Sequence, residues 1–257
     1  MKLKPGLHNY NFKINDYDIH FKCDFKLDSV ELILFIHGLA CSGDSFRNLF
    51  DADYFPESSL LVPDLIGFGE SSKSDEFSYT MEDQAILVEK LLEAFPFKKL
   101  HVVAHSMGNA IALLLSREVM SKVLSVANLE GNLISEDCGL LSQGIIENPF
   151  QEYQKKGFKI HQNDFADHPQ LRFNQATALA VYKSAQSLVQ LSESGKLLFR
   201  YKNLVCKKCY FWGEENADMP VLKKLKGMRT IMIPNSGHGM MTDNPKFFYT
   251  ALADFIR

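Results

Sequence analysis

The chain has 257 residues, a formal net charge of −3 and 46% hydrophobic residues. These values fit one large domain, with room for a sizeable insertion, and exclude a disordered chain or a coiled coil. No long basic block occurs, so we expect no nucleic-acid partner. We also expect no membrane segment, because the longest uncharged stretch in the first half, 100–116, is shorter than the ~20 residues that a span needs.

Cysteine usage and the first residues both favour a cytoplasmic protein. The five cysteines are odd in number and scattered, as in a reducing compartment. The charged first residues are not followed by an apolar run, so we expect no signal peptide. Cys206 and Cys209 have zinc-like spacing but no second pair, and we therefore expect neither a metal site nor another cofactor.

Strands and helices alternate along most of the chain. The predicted elements are, in order, a hairpin of 8–15 and 17–25 joined at Asn15-Asp16, a buried strand 31–36, a short helix 44–50, a strand 59–62, a helix from Thr80 to about 94, a buried strand 100–104, a helix 107–119 and a strand 123–129. Between 132 and 203 no strand is predicted, and helical patterns cover 148–156 and 170–191. Strands 205–212 and 230–234 and a helix 244–256 complete the chain.

This order predicts an α/β fold, with a mostly parallel central sheet and helices on both of its faces. The helical stretch 132–203 interrupts the alternation between two late strands. We therefore predict a core of 1–131 and 204–257 and a helical cap, 132–203, packed over the carboxyl edge of the sheet, where ligands bind in open α/β sheets.

A serine lies at the junction of a buried strand and an apolar helix, in Ala104-His105-Ser106-Met107-Gly108. On so tight a turn the hydroxyl of Ser106 projects above the sheet edge, and small residues on either side let the backbones approach. The N-terminus of the following helix offers unpaired N–H groups to a developing oxyanion. The pattern favours a nucleophile, although Ala104 replaces the usual glycine.

Three further segments follow predicted strands. His37-Gly38-Leu39 ends a buried strand, and its glycine lets the loop approach the serine turn, so that the N–H groups of Leu39 and Met107 become the candidate oxyanion donors. Residues 63–71 are glycine-spaced but lack a phosphate-loop pattern. His238 has a glycine on each side and follows the last strand, which favours an imidazole that reaches the serine.

Together these segments resemble the α/β-hydrolase superfamily. The resemblance rests on His37-Gly38, Asp64-Leu65-Ile66-Gly67-Phe68-Gly69-Glu70-Ser71, Ala104-His105-Ser106-Met107-Gly108 and Gly237-His238, in the family's order, and covers about 10–257. It implies that Ser106 is the nucleophile, that His238 is the general base and then acid, and that Leu39 and Met107 donate to the oxyanion.

The acid of the expected triad has several candidates. The family commonly places it a few residues after Gly213, where this chain has Asn216. Asp218 and Glu215 are nearby alternatives. Glu130, which directly follows the strand 123–129, is the preferred candidate because some family members carry their acid on that earlier strand.

The motifs predict a serine esterase that acts on a small acyl substrate, an ester or a thioester, through an acyl-enzyme. A carbon–carbon bond hydrolase of a diketone is a rival on the same residues, and a ligand-binding receptor with weak turnover remains open because of Asn216. Six aromatic residues of the cap are candidates for an acyl pocket or for packing within the cap: Phe150, Phe158, Phe165, Phe173, Tyr182 and Phe199. The sequence does not determine the oligomeric state.

Overall fold

The computed structural model describes the backbone of residues 6–14 and 17–257 and the side chains of 19–139 and 141–257. Its strands are β1 (Gly6–Ile14), β2 (Tyr17–Lys26), β3 (Glu31–Ile36), β4 (Ser59–Pro63), β5 (Lys99–His105), β6 (Val123–Leu129), β7 (Lys207–Gly213) and β8 (Thr230–Ile233). In this part of the chain they form one sheet in the order β1-β2-β4-β3-β5-β6-β7-β8.

The sheet is mostly parallel, as predicted. The strands β3 to β8 pair in parallel, whereas β2 pairs antiparallel with both β1 and β4. The two runs of the predicted hairpin are β1 and β2, and the joining residues Asn15 and Asp16 lie outside the described residues. Because β3, β5, β6, β7 and β8 are parallel, their carboxyl ends meet at one edge of the sheet.

The helices are α1 (Met81–Leu92), α2 (Met107–Leu114), α3 (Arg117–Met120), α4 (Gly139–Ile146), α5 (Phe150–Glu152), α6 (Phe158–Asp164), α7 (Ala178–Glu193), α8 (Lys196–Lys202), α9 (Pro220–Lys224), α10 (Met240–Asp243) and α11 (Pro245–Ile256). A 3₁₀ helix covers Gly43–Phe50, and a π turn at Tyr153–Gly157 joins α5 to α6. Within the described residues no helix combines the length and the apolar character that a bilayer crossing requires.

Side chains of alternate residues in the buried strands enter two separate cores. Leu32, Leu34 and Ile36 of β3 pack into a core that includes residues of α1 and α2, whereas Ile33 and Phe35 pack into a core with residues of α11. This period of two follows from the pleat of a strand. Both faces of the sheet are therefore covered by helices, as predicted.

Two predicted helices differ from the observed ones. The helix predicted over 107–119 ends at Leu114, because Leu115 has an extended ψ of 144° and Ser116 then caps α3. The helix predicted from 170 starts at Ala178, where the hydroxyl of Thr177 accepts the N–H of Ala180 at 3.1 Å. Serine and threonine side chains compete with the helix ladder in this way and set its boundaries.

The residues between β6 and β7 contain α4 to α8 and, among the described residues, no strand. Aromatic rings pack inside this segment, with Phe165 stacked on Phe173 at 5.5 Å between centroids and Phe150 against Tyr182 at 5.4 Å. The packing of these rings supports the interpretation of the cap aromatics as core contacts.

Candidate active site

Ser106 occupies a strained turn between β5 and α2. Its φ of 51° and ψ of −122° are unusual for a residue with a side chain. The turn also needs a glycine two residues later, because a Cβ on Gly108 would lie 2.5 Å from the carbonyl oxygen of Ile36. Backbone strain of this kind is found at functional sites, where the surrounding structure maintains it.

Ser106 and His238 line one cavity of about 420 Å³ at the carboxyl edge of the sheet. Leu39 and several residues of the 132–203 segment line it as well. In the part of the chain that the structure describes, no hydrogen bond joins the hydroxyl of Ser106 to the imidazole of His238. Catalytic hydrogen bonds are often long without substrate and shorten in the complex, so this arrangement remains compatible with proton transfer.

Glu130 lies beside His238. One carboxylate oxygen, Oε2, is 2.8 Å from Nδ1 of His238, so Nδ1–H donates and Nε2 is left as the free acceptor. The carboxylate is almost fully buried, at 1% exposure, while the imidazole is 51% exposed. Glu130 directly follows β6 with a φ of 42°, and its N–H donates to the carbonyl of Phe211 at 3.0 Å.

Asn216 occupies the position where the family commonly has its acid, and its side chain donates hydrogen bonds to the carboxylate of Glu130. Its Nδ2 lies 3.0 and 2.9 Å from the two oxygens, and the N–H of Gly213 donates to Oε1 at 2.7 Å. Asp218 and Glu215 are exposed, and within the described residues neither contacts the imidazole of His238. The sequence offered no signal for this amide–carboxylate contact, because the two residues are 86 positions apart.

His105, beside the serine in sequence, supports His238. Its Nε2–H donates to the carbonyl oxygen of His238 at 3.0 Å, and the two rings lie 4.6 Å apart between centroids. Full burial, together with the neighbouring His238, keeps the pKa of His105 well below its ordinary value. His105 is thus a neutral donor that fixes the backbone of residues 235–239, here called the histidine loop, and no sequence pattern indicated this role.

The candidate oxyanion donors are carried by the residue after Ser106 and by the loop after β3. Leu39 lines the cavity, whereas Met107 is the first residue of α2 and is not among the lining residues that the structure describes. Neither backbone N–H has an acceptor within residues 6–14 and 17–257. A Cβ on Gly38 would lie 3.1 Å from Cβ of Ser106, so the loop that carries Leu39 passes directly beside the serine.

Two buried polar residues hold this loop. His37 accepts the N–H of Leu65 at Nε2 over 2.9 Å, and burial lowers its pKa, so the ring is neutral and donates through Nδ1 to the carbonyl of Gly38 at 2.8 Å. Asp64 accepts the N–H groups of Gly43 and Glu70 at 2.7 and 2.8 Å. The glycine-spaced segment 63–71 therefore acts as a brace within the fold.

The cysteine pair and the cap aromatics lie outside this site. Cys206 and Cys209 are free thiols whose pKa values burial raises, to about 12 for Cys209. Within the described residues no group of side chains is arranged to hold a metal ion. The six cap aromatics, all described, are likewise not among the residues that line the cavity.

Comparisons with known proteins identify the family and the fold. The model of the family described as "alpha/beta hydrolase fold" matches residues 31–187. A probable lysophospholipase, BODYGUARD 4 of Arabidopsis thaliana, is 37% identical over 98 residues, which are 37% of this chain and 24% of that protein. Lipase 1 of Psychrobacter immobilis is 38% identical over 84 residues, 32% of this chain and 26% of that protein.

The chain thus spans about a quarter of the length of these curated relatives. Among solved structures, E-2-(acetamidomethylene)succinate hydrolase superposes with a TM-score of 0.74 at 17% identity, over 98% of this chain and 99% of that one. At that identity the superposition shows a shared fold.

Proposed function

We propose, on the premise that this chain belongs to the alpha/beta hydrolase fold family, that it is a serine hydrolase cleaving small carboxylic ester or thioester bonds through an acyl-enzyme. The observation that carries the proposal is the contact of 2.8 Å between Glu130 and His238 in the cavity that Ser106 lines. These three groups are a nucleophile, a base and an acid that follow β5, β8 and β6 at one edge of the sheet, and acyl transfer requires these three roles.

The mechanism follows from these groups. Nε2 of His238 removes the proton of Ser106 as its Oγ attacks the acyl carbonyl, and the N–H groups of Leu39 and Met107 donate to the oxyanion. The leaving group departs with the proton from His238, and a water molecule then repeats the sequence to release the acid. Glu130 orients the imidazole and stabilises its protonated form.

Two further points support this proposal over its rivals. Two of the curated relatives are named as a probable lysophospholipase and a lipase, and both of these names denote ester-cleaving enzymes. The receptor alternative arose from Asn216 at the expected acid position, and the contact of Asn216 with Glu130 removes that reason. No particular observation favours cleavage of a carbon–carbon bond.

A cytoplasmic location is part of the proposal. All five cysteines lie in the described part of the chain and all are free thiols. Unpaired cysteines are typical of a reducing compartment.

Ser106→Ala tests the nucleophile. We expect wild-type protein to react with a fluorophosphonate probe and to hydrolyse a short nitrophenyl ester, and we expect the variant to do neither, because it lacks the hydroxyl that His238 activates. Thermal melting of both proteins is the control for folding. Hydrolysis or labelling retained by the folded variant would contradict the assignment.

A further inference from the structure

Two carboxylates line the cavity beside Ser106, and the guanidinium of Arg172 donates to the carbonyls of the lining residues His168 and Pro169. Asp137 and Asp243 line it, and among the described residues neither lysine nor arginine does. The buried carboxylate of Glu130 lies directly behind His238. Like charges brought together in a partly buried site repel strongly, so the part of the cavity beside Asp137 disfavours an anionic occupant.

Asn132 places an unpartnered acceptor on the same wall. Its side chain is buried at 2% exposure, and its Nδ2 contacts Sγ of Cys138 at 3.8 Å. Its Oδ1, also buried, has no hydrogen-bond partner within the described residues. A buried acceptor without a donor is destabilising, but this oxygen has almost no surface open to the cavity, so it is not itself a contact point for a ligand.

Asp137 supplies a second acceptor next to Asn132. Its Oδ2 accepts the N–H groups of Leu133 and Ile134 at 2.8 and 3.0 Å, whereas its Oδ1 has no partner in the described part of the chain. Burial raises the pKa of this carboxyl to about 6, so it is ionised at neutral pH and incompletely solvated. Both side chains lie beside Cys138, which itself lines the cavity.

We infer that the substrate carries a hydrogen-bond donor, such as an amide, hydroxyl or ammonium group, on the part that reaches the carboxylate of Asp137. Esters with a carboxylate at that place are excluded. The identity of the bond cleaved rests on the proposed function, but the recognition depends only on the cavity, and the two are tested separately.

Binding of three methyl esters of similar length tests the inference. They are methyl pentanoate, the methyl ester of glutaric acid monoamide, and monomethyl glutarate, which end in a methyl, an amide and a carboxylate group. Calorimetric titration uses the Ser106→Ala variant near neutral pH, so that turnover does not interfere. We expect the amide ester to bind at least about tenfold more tightly than the carboxylate ester, since a hydrogen bond to a charged group contributes that much.

A second substitution assigns the preference to Asp137. Asp137→Asn, added to the Ser106→Ala variant, keeps an oxygen to accept the N–H groups of Leu133 and Ile134 and removes the charge, so we expect the preference for amide over carboxylate to fall severalfold. Glu136→Gln removes an exposed charge from the neighbouring residue and should leave the preference unchanged. Melting curves check that both variants fold.

Three results would overturn the inference: a carboxylate ester that binds as tightly as the amide ester, equal or undetectable affinity for all three esters, or a preference that survives Asp137→Asn. Hydrolysis of these esters by the wild-type protein is measured in parallel. Failure of hydrolysis together with selective binding would count against the proposed function and leave the recognition standing.

Discussion

Backbone strain concentrates at residues of the candidate active site. In the described part of the chain five residues other than glycine have a positive φ; Ser106 and Glu130 directly follow β5 and β6, and Ala40 lies in the loop after β3. Each such conformation costs about 1–3 kcal/mol and persists only where the surroundings enforce it. At this edge of the sheet the strained residues present the hydroxyl and the carboxylate to the cavity region.

Substitution of Glu130 tests the role of its carboxylate directly. Three N–H donors, on Gly213, Asn216 and His238, converge on its two oxygens. Glu130→Gln replaces one oxygen by an amide group that faces these donors, so we expect kcat to fall by about 10⁴, as in a comparable carboxylate-to-amide change in a serine triad. Steady-state kinetics with a nitrophenyl ester measures the effect.

Asp218→Asn is the matched control for that substitution. Asp218 is exposed and has no contact with His238 in the described structure, so its variant should retain nearly full kcat. If Asp218→Asn lost more activity than Glu130→Gln, the acid would belong to the later strand.

At the scale of elements, one segment of the cap contacts both halves of the site. We call residues 168–172 the cap strap. The N–H of Arg172 donates to the carbonyl of Ala40 at 2.6 Å, and Ala40 directly follows the candidate oxyanion donor Leu39. Nε2 of Gln170 donates to the hydroxyl of Thr242 at 2.7 Å, and that hydroxyl donates to the carbonyl of Gly239 at 2.9 Å, next to His238. The cap strap therefore positions the donors and the base together.

Gln170→Ala should loosen the histidine loop. We expect kcat to fall about tenfold with a smaller change in KM, because the variant loses a buried hydrogen bond worth about 1 kcal/mol and leaves Thr242 without its donor. Gln175→Ala is a suitable control, since the Gln175 side chain makes no hydrogen bond within the described residues. Equal kinetics for the two variants would refute a positioning role for Gln170.

At the scale of the whole molecule, buried imidazoles link stability to pH. Burial lowers the pKa values of His37, His101 and His105 below the ordinary 6.5, so the unfolded chain takes up protons before the native protein does. The free energy of unfolding should therefore be highest above pH 6.5 and fall as the pH drops from 6.5 toward the lowered native values. The slope reaches at most about 1.4 kcal/mol per pH unit for each histidine.

Urea unfolding between pH 8 and pH 5 measures this loss. Asp137 acts in the opposite direction, because its pKa is raised from 3.8 to about 6, and the native state binds its proton first as the pH falls from 6 to 4. Asp137→Asn should consequently make the loss on acidification steeper in that lower range. A midpoint that does not change between pH 8 and pH 5 would contradict the assignment of neutral, buried histidines.

The sequence alone determined the order of strands and helices, the parallel sheet, and the positions of Ser106, Glu130 and His238 at strand ends. These features follow from local sequence patterns, because hydrophobic periodicity identifies an element and flanking glycines identify its end. The ends of helices were less predictable, because single residues such as Ser116 and Thr177 decided them through hydrogen bonds of their side chains.

Only the tertiary structure decided how side chains from distant elements meet. Asn216 donates to Glu130, His105 to the backbone of His238, and Gln170 to Thr242. The positions of Asn132 and Asp137 beside the cavity likewise depend on how the chain after β6 packs. Such contacts join residues that are far apart in the chain. A local sequence pattern does not determine which donor faces which acceptor, because that pairing depends on how the sheet packs against the segment 132–203.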